Sequence, residues 1–253
     1  MATLVRRLVD FNKRLSAKLE KHLPQAKEDL YALYDRTVAE HVSHLPEASL
    51  VVDVGGGRSC SFAAYLDKLR GPVRLIAVDI SEEELRHNSD VDETRVADAG
   101  AGLPFGDGEV SLVVSRTVLE HVADVEAFVA HTSRVLCDGG HAIHLVPCRN
   151  APFAVIARLI PFNIAKAVLH FMRPESVGVV EFPVFYDRCT YDQMRAAHLR
   201  HGFSSFEASV SYYQSDYFEA VFPAYLISAL YELIVRACRA RNLGAYMLVI
   251  ARK

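Results

Sequence analysis

Apolar side chains return every three or four positions over the first 23 residues, and lysines and arginines fill the positions between them. The apolar positions are Leu4, Leu8, Phe11, Leu15 and Leu19. This spacing predicts a basic amphipathic helix. We expect its apolar stripe to pack over the rest of the protein with the basic side in water; a lid or a membrane-surface contact is the alternative. A second helix is expected over residues 26–44, ending before Pro46.

From residue 50 the pattern changes to short apolar runs separated by helical stretches. The runs predict strands over residues 50–54, 73–78, 94–97, 110–115 and 141–146. Strands that alternate with helices indicate βαβ units. The sequence therefore predicts an α/β fold with a largely parallel, doubly wound sheet that is covered on both faces.

The alternation is less regular beyond Pro147, where helices are expected over residues 153–171, 191–201 and 218–239, and strands over 203–213 and 245–251. The last helix contains an apolar run, residues 220–231, which is short for a bilayer span of roughly 20 residues. It is expected in the core, at an oligomer interface or on a membrane surface. We therefore divide the chain into an N-terminal helical lid or cap, residues 1–48, and a larger domain, residues 49–253. Substrate-side helical insertions are expected at about 151–190 and 217–242 in that domain.

Composition narrows the classes of partner. The 253 residues carry a net charge of −3, without a long Lys/Arg block outside the N-terminal segment. Nucleic-acid binding is therefore not favoured, and a small-molecule or oligosaccharide substrate fits better. Five scattered cysteines without a C-x-x-C pair argue against a disulfide framework or a thiolate zinc site, and the N-terminus does not look like a secretion signal. We expect a cytoplasmic protein, with peripheral membrane contact and a homodimer as open alternatives.

The stretch VVDVGGGRSC, residues 51–60, joins a predicted strand to a helix through three successive glycines. A glycine turn at a helix start exposes backbone N–H groups where a cofactor can approach without meeting a Cβ atom. Acids follow near the ends of the next two strands, Asp79 in IAVDIS and Asp98 in VADAGAGLPF. Because ligands bind at the carboxyl ends of strands in an open α/β sheet, these acids and Asp53 indicate a cofactor crevice. For the glycines alone, a tight structural turn is the alternative.

Over residues 50–147 this arrangement resembles the class I S-adenosylmethionine (SAM)-dependent methyltransferases, whose first motif is an acid followed by G-x-G-x-G. The resemblance implies a Rossmann-like, doubly wound seven-stranded sheet with N-terminal helices and helical insertions in the C-terminal half. It assigns the cofactor to Asp53, Gly55, Gly56, Gly57, Asp79, Ile80, Asp98, Ala99 and Ser115. Asp79 would accept hydrogen bonds from the ribose, Ile80 would lie beside the adenine and Asp98 would receive the adenine amino group. Ser59 stands where the motif has its last glycine, and Arg116 falls near the sulfonium end.

A glutamate and two histidines are the candidates for the chemistry, since a hydroxyl acceptor must lose a proton when it is methylated. Glu120 and His121 follow the fourth predicted strand, and His144 lies within the fifth, in HAIHLVPC. This pairing resembles the cyclopropane synthase branch of the family, where the matching Glu and His line the active site. We expect His144 to be the general base with Glu120 orienting it, or both to help hold Mg²⁺. A structural role for His121 and a core position for His144 are the alternatives.

Aromatic side chains with hydroxyl tips suit stacking against sugars, lipids or aromatic substrates. Tyr186, Tyr212, Tyr213 and Tyr217 are the candidates for acceptor binding. The C-terminal half resembles methyltransferases of bacterial polysaccharide and glycolipid pathways, the methylmannose-polysaccharide enzymes in particular, which implies O-methylation of a saccharide or glycolipid precursor. A lipid, quinone or cyclopropane-type methyltransferase is the alternative, favoured by the apolar stretches 153–171 and 218–239. A non-catalytic SAM-binding scaffold is the alternative of another class.

Overall fold

The computed structural model describes residues 2–23, 29–66, 73–161 and 182–253. Its helices are α1 (Ala2–Glu20), α2 (Leu30–Ser43), α3 (Ala63–Leu66), α4 (Glu82–Leu85), α5 (Val125–Val135), α6 (Pro152–Leu159), α7 (Tyr191–Arg200) and α8 (Phe222–Ala237). Its strands are β1 (Leu50–Val54), β2 (Arg74–Asp79), β3 (Glu93–Val96), β4 (Val110–Arg116), β5 (Leu136–Pro147), β6 (Ser205–Ser211) and β7 (Tyr246–Arg252). Short 3-10 helices cover Leu119–His121, Ser215–Phe218 and Arg241–Leu243. The helix expected over residues 153–171 begins as α6, and its part beyond residue 161 lies outside the described residues.

The seven strands form one mixed sheet in the order β3-β2-β1-β4-β5-β7-β6. Strands β1 to β5 run parallel to one another. β7 runs antiparallel to β5, because Lys253 N donates to Gly140 O near one end and Cys148 N donates to Ala245 O near the other. The predicted Rossmann-like fold is confirmed.

The order of the strands reverses between β1 and β4. The chain proceeds from β1 through β2 to β3 on one side of the sheet and from β4 to β5 on the other. A crevice at the carboxyl ends of β1 and β4 is the expected ligand site of such a sheet. β1 is buried at all five residues, as a central parallel strand requires.

The chain divides into two compact units. The sheet unit comprises residues 29–147, 184–209 and 247–253, and the helical unit comprises the described parts of residues 1–28, 148–183 and 210–246. This division differs from the expected boundary at residue 48. α2 belongs to the sheet unit, where it buries Tyr34, Val38 and Val42 and contacts α3 and β5. α1 and much of the two expected insertions belong together in the helical unit.

In the helical unit, α1 packs beside α8, and two of its polar side chains bond to the backbone just before α8. Asn12 Nδ2 donates to Ala220 O at 2.9 Å, and Ser16 Oγ donates to Glu219 O at 3.3 Å. Leu8 and Phe11 of the expected packing stripe are exposed. The expectation that the apolar stripe faces the protein is therefore wrong at these two positions, because carbonyl groups that need donors occupy the contact. None of the described helices is long and apolar enough to cross a bilayer.

Candidate active site

The glycine turn after β1 has two glycines that its own packing requires and one that faces open space. Gly55 has a φ of +72°, and a Cβ atom on it would lie 2.2 Å from Val118 Cγ2. A Cβ atom on Gly56 would lie 2.7 Å from the Cβ of Ala77 in β2. Gly57, with a φ of +43°, would meet nothing closer than atoms at 3.9 Å. Gly55 and Gly56 are therefore required by the packing of the turn, whereas Gly57 has a positive φ and leaves space that a ligand could approach.

Asp79 ends β2 beside this turn with its carboxylate held in place. Its Oδ2 accepts from Gly57 N at 3.1 Å, and its Oδ1 accepts from Ser81 N at 2.9 Å. The side chain of the next residue, Ile80, is 57% exposed. A fixed carboxylate next to an uncovered apolar side chain suits a nucleoside, whose ribose donates hydrogen bonds and whose base needs an apolar contact.

The two other predicted acids differ in their surroundings. Asp98 Oδ1 accepts from Gly100 N at 2.8 Å, and Ala99 between them is buried. Asp53 is buried within β1, and burial raises the pKa of its carboxyl to about 7, against the smaller effect of the Arg116 guanidinium, which lowers it. Asp98 is therefore placed to meet a ligand at the sheet edge, whereas Asp53 is a buried carboxyl beneath the turn.

Ser115 does not have the surroundings expected of a cofactor contact. It lies opposite His144 in the β4–β5 register and has no exposed surface. Its Oγ is 2.8 Å from His144 Nδ1, so the two side chains share a hydrogen bond in the core. The assignment of Ser115 to the cofactor is therefore corrected, because the hydroxyl faces a buried imidazole.

His144 is likewise a core residue, and Glu120 does not orient it. Its ring packs against Phe128 of α5 and His198 of α7, with centroids 5.5 Å and 6.0 Å away. Burial, and then the neighbouring His198, lower the pKa of His144 well below its usual value, so the imidazole is neutral. The predicted Glu120–His144 hydrogen bond is not formed: His144 Nδ1 bonds with Ser115 Oγ, and neither His144 Nε2 nor Glu120 Oε2 has a hydrogen-bond partner among the described residues.

Glu120 itself lies beside the cofactor loops. It belongs to the 3-10 helix between Val118, which is packed against Gly55, and Val122, whose Cγ1 would lie 3.4 Å from a Cβ atom on Gly100. Its side chain is 6% exposed, and burial raises the pKa of its carboxyl to about 8. Oε2 has no hydrogen-bond partner among the described residues, while Oε1 is 3.9 Å from His121 Nε2.

The loop after residue 182 is attached to Glu120 through its backbone. Glu120 O accepts from Phe185 N at 2.7 Å and from Tyr186 N at 3.0 Å. Tyr186 is buried and has a φ of +52°, a conformation that is unusual for a residue other than glycine. Of the four tyrosines predicted to bind the acceptor, Tyr186 is thus beside Glu120.

The other three tyrosines belong to the helical unit. Tyr213 Oη donates to Glu20 Oε1 at 3.0 Å. Tyr217 shares a hydrogen bond with the hydroxyl of Tyr246 and stacks on Phe153, with ring centroids 4.4 Å apart. Acceptor binding by Tyr212, Tyr213 and Tyr217 stays a prediction.

Metal binding by Glu120 and His144 has no support in the structure. In residues 2–23, 29–66, 73–161 and 182–253, no group of three or more His, Cys, Asp or Glu side chains could hold a metal ion. The Mg²⁺ prediction is therefore not carried further.

α2 adds a polar cluster that the sequence analysis did not identify. Tyr34 has no exposed surface, and its hydroxyl has no hydrogen-bond partner in the described part of the chain. Burial and then the charge of Asp53 raise the pKa of this hydroxyl. Asp35 Oδ1 accepts from Ser61 Oγ at 2.7 Å and lies 4.0 Å from the guanidinium of Arg116. Helical periodicity marks Tyr34 as an ordinary core position, so only the folded structure, in which Tyr34 lies near Asp53, could have revealed the cluster.

Comparison with known proteins places these residues in a family context. Residues 52–144 match the family model described as a methyltransferase domain. The match includes the glycine turn, Asp79, Asp98 and Glu120. A search of the curated proteins finds no match.

Several solved structures share the fold. Phosphoethanolamine N-methyltransferase 2 of Haemonchus contortus in complex with SAM is 14% identical, with 87% of this chain and 52% of that chain covered and a TM-score of 0.54. A SAM-dependent methyltransferase of Mesorhizobium loti is 18% identical, with 87% and 98% covered and a TM-score of 0.53. A geranyl diphosphate methyltransferase in complex with GPP and sinefungin is 15% identical, with 87% and 77% covered and a TM-score of 0.52. This chain spans about half the length of the Haemonchus protein (52%), and at these identities the likeness concerns the fold alone.

Proposed function

The matched domain and the fold support a class I SAM-dependent methyltransferase, and from that premise we propose that the chain methylates a hydroxyl of a saccharide or glycolipid precursor. The observation that carries the proposal is the carboxyl group of Glu120, buried between the two cofactor loops with a pKa of about 8 and with Oε2 unpartnered among the described residues. A hydroxyl acceptor needs a base, and this group can take a proton near neutral pH.

The residues at the crevice fit SAM. The open side of Gly57 admits a ligand, the fixed carboxylate of Asp79 can accept from a ribose, and Ile80 offers an apolar surface for an adenine. Asp98 can receive the adenine amino group. When bound, SAM supplies a methyl group on a sulfonium, a good leaving group, so that the acceptor oxygen gains the methyl and loses a proton.

Glu120 is the proposed general base. In its ionised form, Oε2 accepts the proton of the acceptor hydroxyl, and the carboxyl becomes neutral. Burial favours this neutral form, which is why the pKa is raised. His121, whose side chain is about a third exposed (32%), lies on the solvent side of Glu120 and is proposed to pass the proton outward.

His144 is proposed to position the strand ends and not to take the proton. A base must reach the proton that it removes, and His144 has no exposed surface. Burial also lowers the pKa of its imidazole, which weakens it as a base. The hydrogen bond that His144 shares with Ser115 connects β4, which leads into the Glu120 segment, to β5. Replacing His144 should therefore lower stability more than it changes the pH dependence of catalysis.

A lipid acceptor is the second candidate. Large apolar side chains are exposed on α1, α6 and α8 of the helical unit, which suits a substrate drawn from an apolar phase. A non-catalytic SAM-binding scaffold would show no turnover with either class of acceptor.

The test is an acceptor assay with methyl-labelled SAM. Saccharides and glycolipids with unmodified hydroxyls are compared with the same compounds carrying blocked hydroxyls, and with phospholipids and quinols. Label that enters the unmodified saccharides or glycolipids and not the blocked ones supports the proposal. Label found only in phospholipids, quinols or amines contradicts it.

A further inference from the structure

α8 presents its apolar side to the outside of the helical unit. The side chains of Leu226, Ile227, Leu230 and Ile234 are 41%, 72%, 59% and 55% exposed. Positions 226, 227, 230 and 234 lie on one face of a helix, so these side chains form a stripe along most of α8. We call it the α8 stripe. The buried side of the same helix carries two polar residues, Ser228 and Glu232, together with Tyr225, Ala229 and Val235.

The hydrogen bonds of Glu232 fix this orientation. Its carboxylate accepts from Gln214 N at 2.9 Å and from the hydroxyls of Ser215 and Ser228 at 3.4 Å. Turning α8 to bury the apolar stripe would remove Gln214 N and Ser215 Oγ, the two partners outside the helix, from a carboxylate that has no exposed surface. The hydrogen bonds of Glu232 therefore keep the α8 stripe exposed.

α1 likewise bonds to its neighbour through polar side chains and exposes apolar ones. It holds its neighbour through Asn12 and Ser16, while Leu8 and Phe11 are 59% and 58% exposed. Arg7, Phe11, Arg14 and Lys18 share one face at helical spacing, and all four are exposed. A contact surface on this face of α1 would therefore present the ring of Phe11 among three positively charged side chains.

We propose that α1 and the α8 stripe dock the protein on the surface of an anionic lipid bilayer. Apolar side chains would enter the interface, and the cations of α1 would meet anionic headgroups. In this proposal α1 and α8 lie in the plane of the membrane surface.

The positive charge of α1 favours an anionic bilayer over a second copy of the chain as the partner of this surface. α1 contains five Lys or Arg residues and two Asp or Glu residues, which gives +3, although the whole chain carries −3. A symmetric dimer through this surface would bring the basic helices of both copies into one interface. Anionic lipid complements both the charge and the apolar side chains.

The chain contains no tryptophan, which provides a direct probe. Ile227→Trp introduces a single indole in the α8 stripe. Vesicles of 30% phosphatidylglycerol in phosphatidylcholine should shift its emission to shorter wavelength, and pure phosphatidylcholine should shift it much less. Leu199→Trp, at an exposed apolar position on α7 of the sheet unit, is the matched control and should not respond. An unchanged emission at position 227 would overturn the proposal.

Co-sedimentation with the same vesicles measures affinity. The double variant Ile227→Glu/Leu230→Glu should bind at least tenfold more weakly than the wild type, and Arg14→Gln about fivefold more weakly. Arg195→Gln on α7 is the control for charge and should bind like the wild type. SAM titration of each variant verifies folding, and equal binding by the wild type and the double variant counts against the proposal. A wild-type dimer that the double variant abolishes, without vesicle binding, would assign the surface to a second copy.

Discussion

Glu120 and His144 are both buried in the sheet unit, and burial shifts their pKa values in opposite directions. The pKa of Glu120 is raised to about 8, whereas that of His144 is well below its usual value. Each shift favours the neutral form. Glu120 can therefore exchange a proton near neutral pH, and His144 stays uncharged. Sequence spacing predicted that both residues lie near the ends of neighbouring strands, but strand alternation does not say which face meets the crevice. Ser115 and His144 were misassigned for this reason.

Glu120→Gln should lower kcat/KM by about 10²–10⁴-fold, because the acceptor hydroxyl loses its base. The wild-type kcat/KM should rise with pH up to about 8, the pKa of the carboxyl, and the variant should not show this rise. SAM affinity should stay within about twofold, since Glu120 is not among the proposed cofactor contacts. Glu83→Gln, at an exposed position of α4, is the control. An unchanged pH profile in Glu120→Gln would refute the assignment.

The buried side chain of His198 is expected to make the fold less stable in acid. Burial lowers the pKa of its imidazole to about 4, so folding favours the neutral form. Its contribution to stability is therefore complete above the unfolded-state pKa of about 6.5 and is lost as pH falls toward 4. Between pH 7.5 and 5 this amounts to about 2 kcal/mol of unfolding free energy.

Urea unfolding at the two pH values, with wild type and His198→Phe, checks this expectation. The variant should lose about 2 kcal/mol less than the wild type on acidification. His87→Phe, at an exposed position, should behave like the wild type. An equal loss in wild type and His198→Phe would show that His198 does not account for the acid sensitivity.

Apolar patterning located most elements, because buried parallel strands are short apolar runs. β1 has the predicted bounds, and β3, which alternates at the edge of the sheet, is shifted by one residue. β5 begins at Leu136, five residues earlier than predicted, because Asp138 and two glycines interrupt the apolar pattern in the first part of the strand. The orientation of α1 and α8 was not predictable, because periodicity defines two faces without saying which one packs. The hydrogen bonds of Asn12, Ser16 and Glu232 determine which face of each helix packs.

The turn after β1 gives a prediction at this scale. Gly56→Ala should lower the free energy of unfolding by about 1–3 kcal/mol, because the new Cβ meets Ala77 in β2. Gly57→Ala places its Cβ in open space, so the cost to folding is limited to the strain of its positive φ, about 1–2 kcal/mol. SAM should nevertheless bind at least tenfold more weakly to the folded Gly57→Ala protein, which calorimetry would show. Normal SAM affinity in that variant would mean that the ligand does not approach Gly57.

At the scale of the whole molecule, the strand order and the three acids followed from the resemblance over residues 50–147, and the matched domain covers nearly the same segment. The grouping of α1 with the two C-terminal insertions did not follow from any local pattern, since it depends on contacts between segments up to about 200 residues apart. We expect segments outside the matched domain to select the acceptor. The proposed function depends on SAM binding at the crevice.

Isothermal titration of the protein with SAM and S-adenosylhomocysteine, repeated with Asp79→Ala and with Glu83→Ala as the control, tests that claim most directly. We expect one site per chain for both ligands in the wild type and in Glu83→Ala. Asp79→Ala should bind at least tenfold more weakly, because the carboxylate that accepts from the ribose and orders Gly57 is lost. No binding by the wild type, or unchanged affinity in Asp79→Ala, would contradict the account.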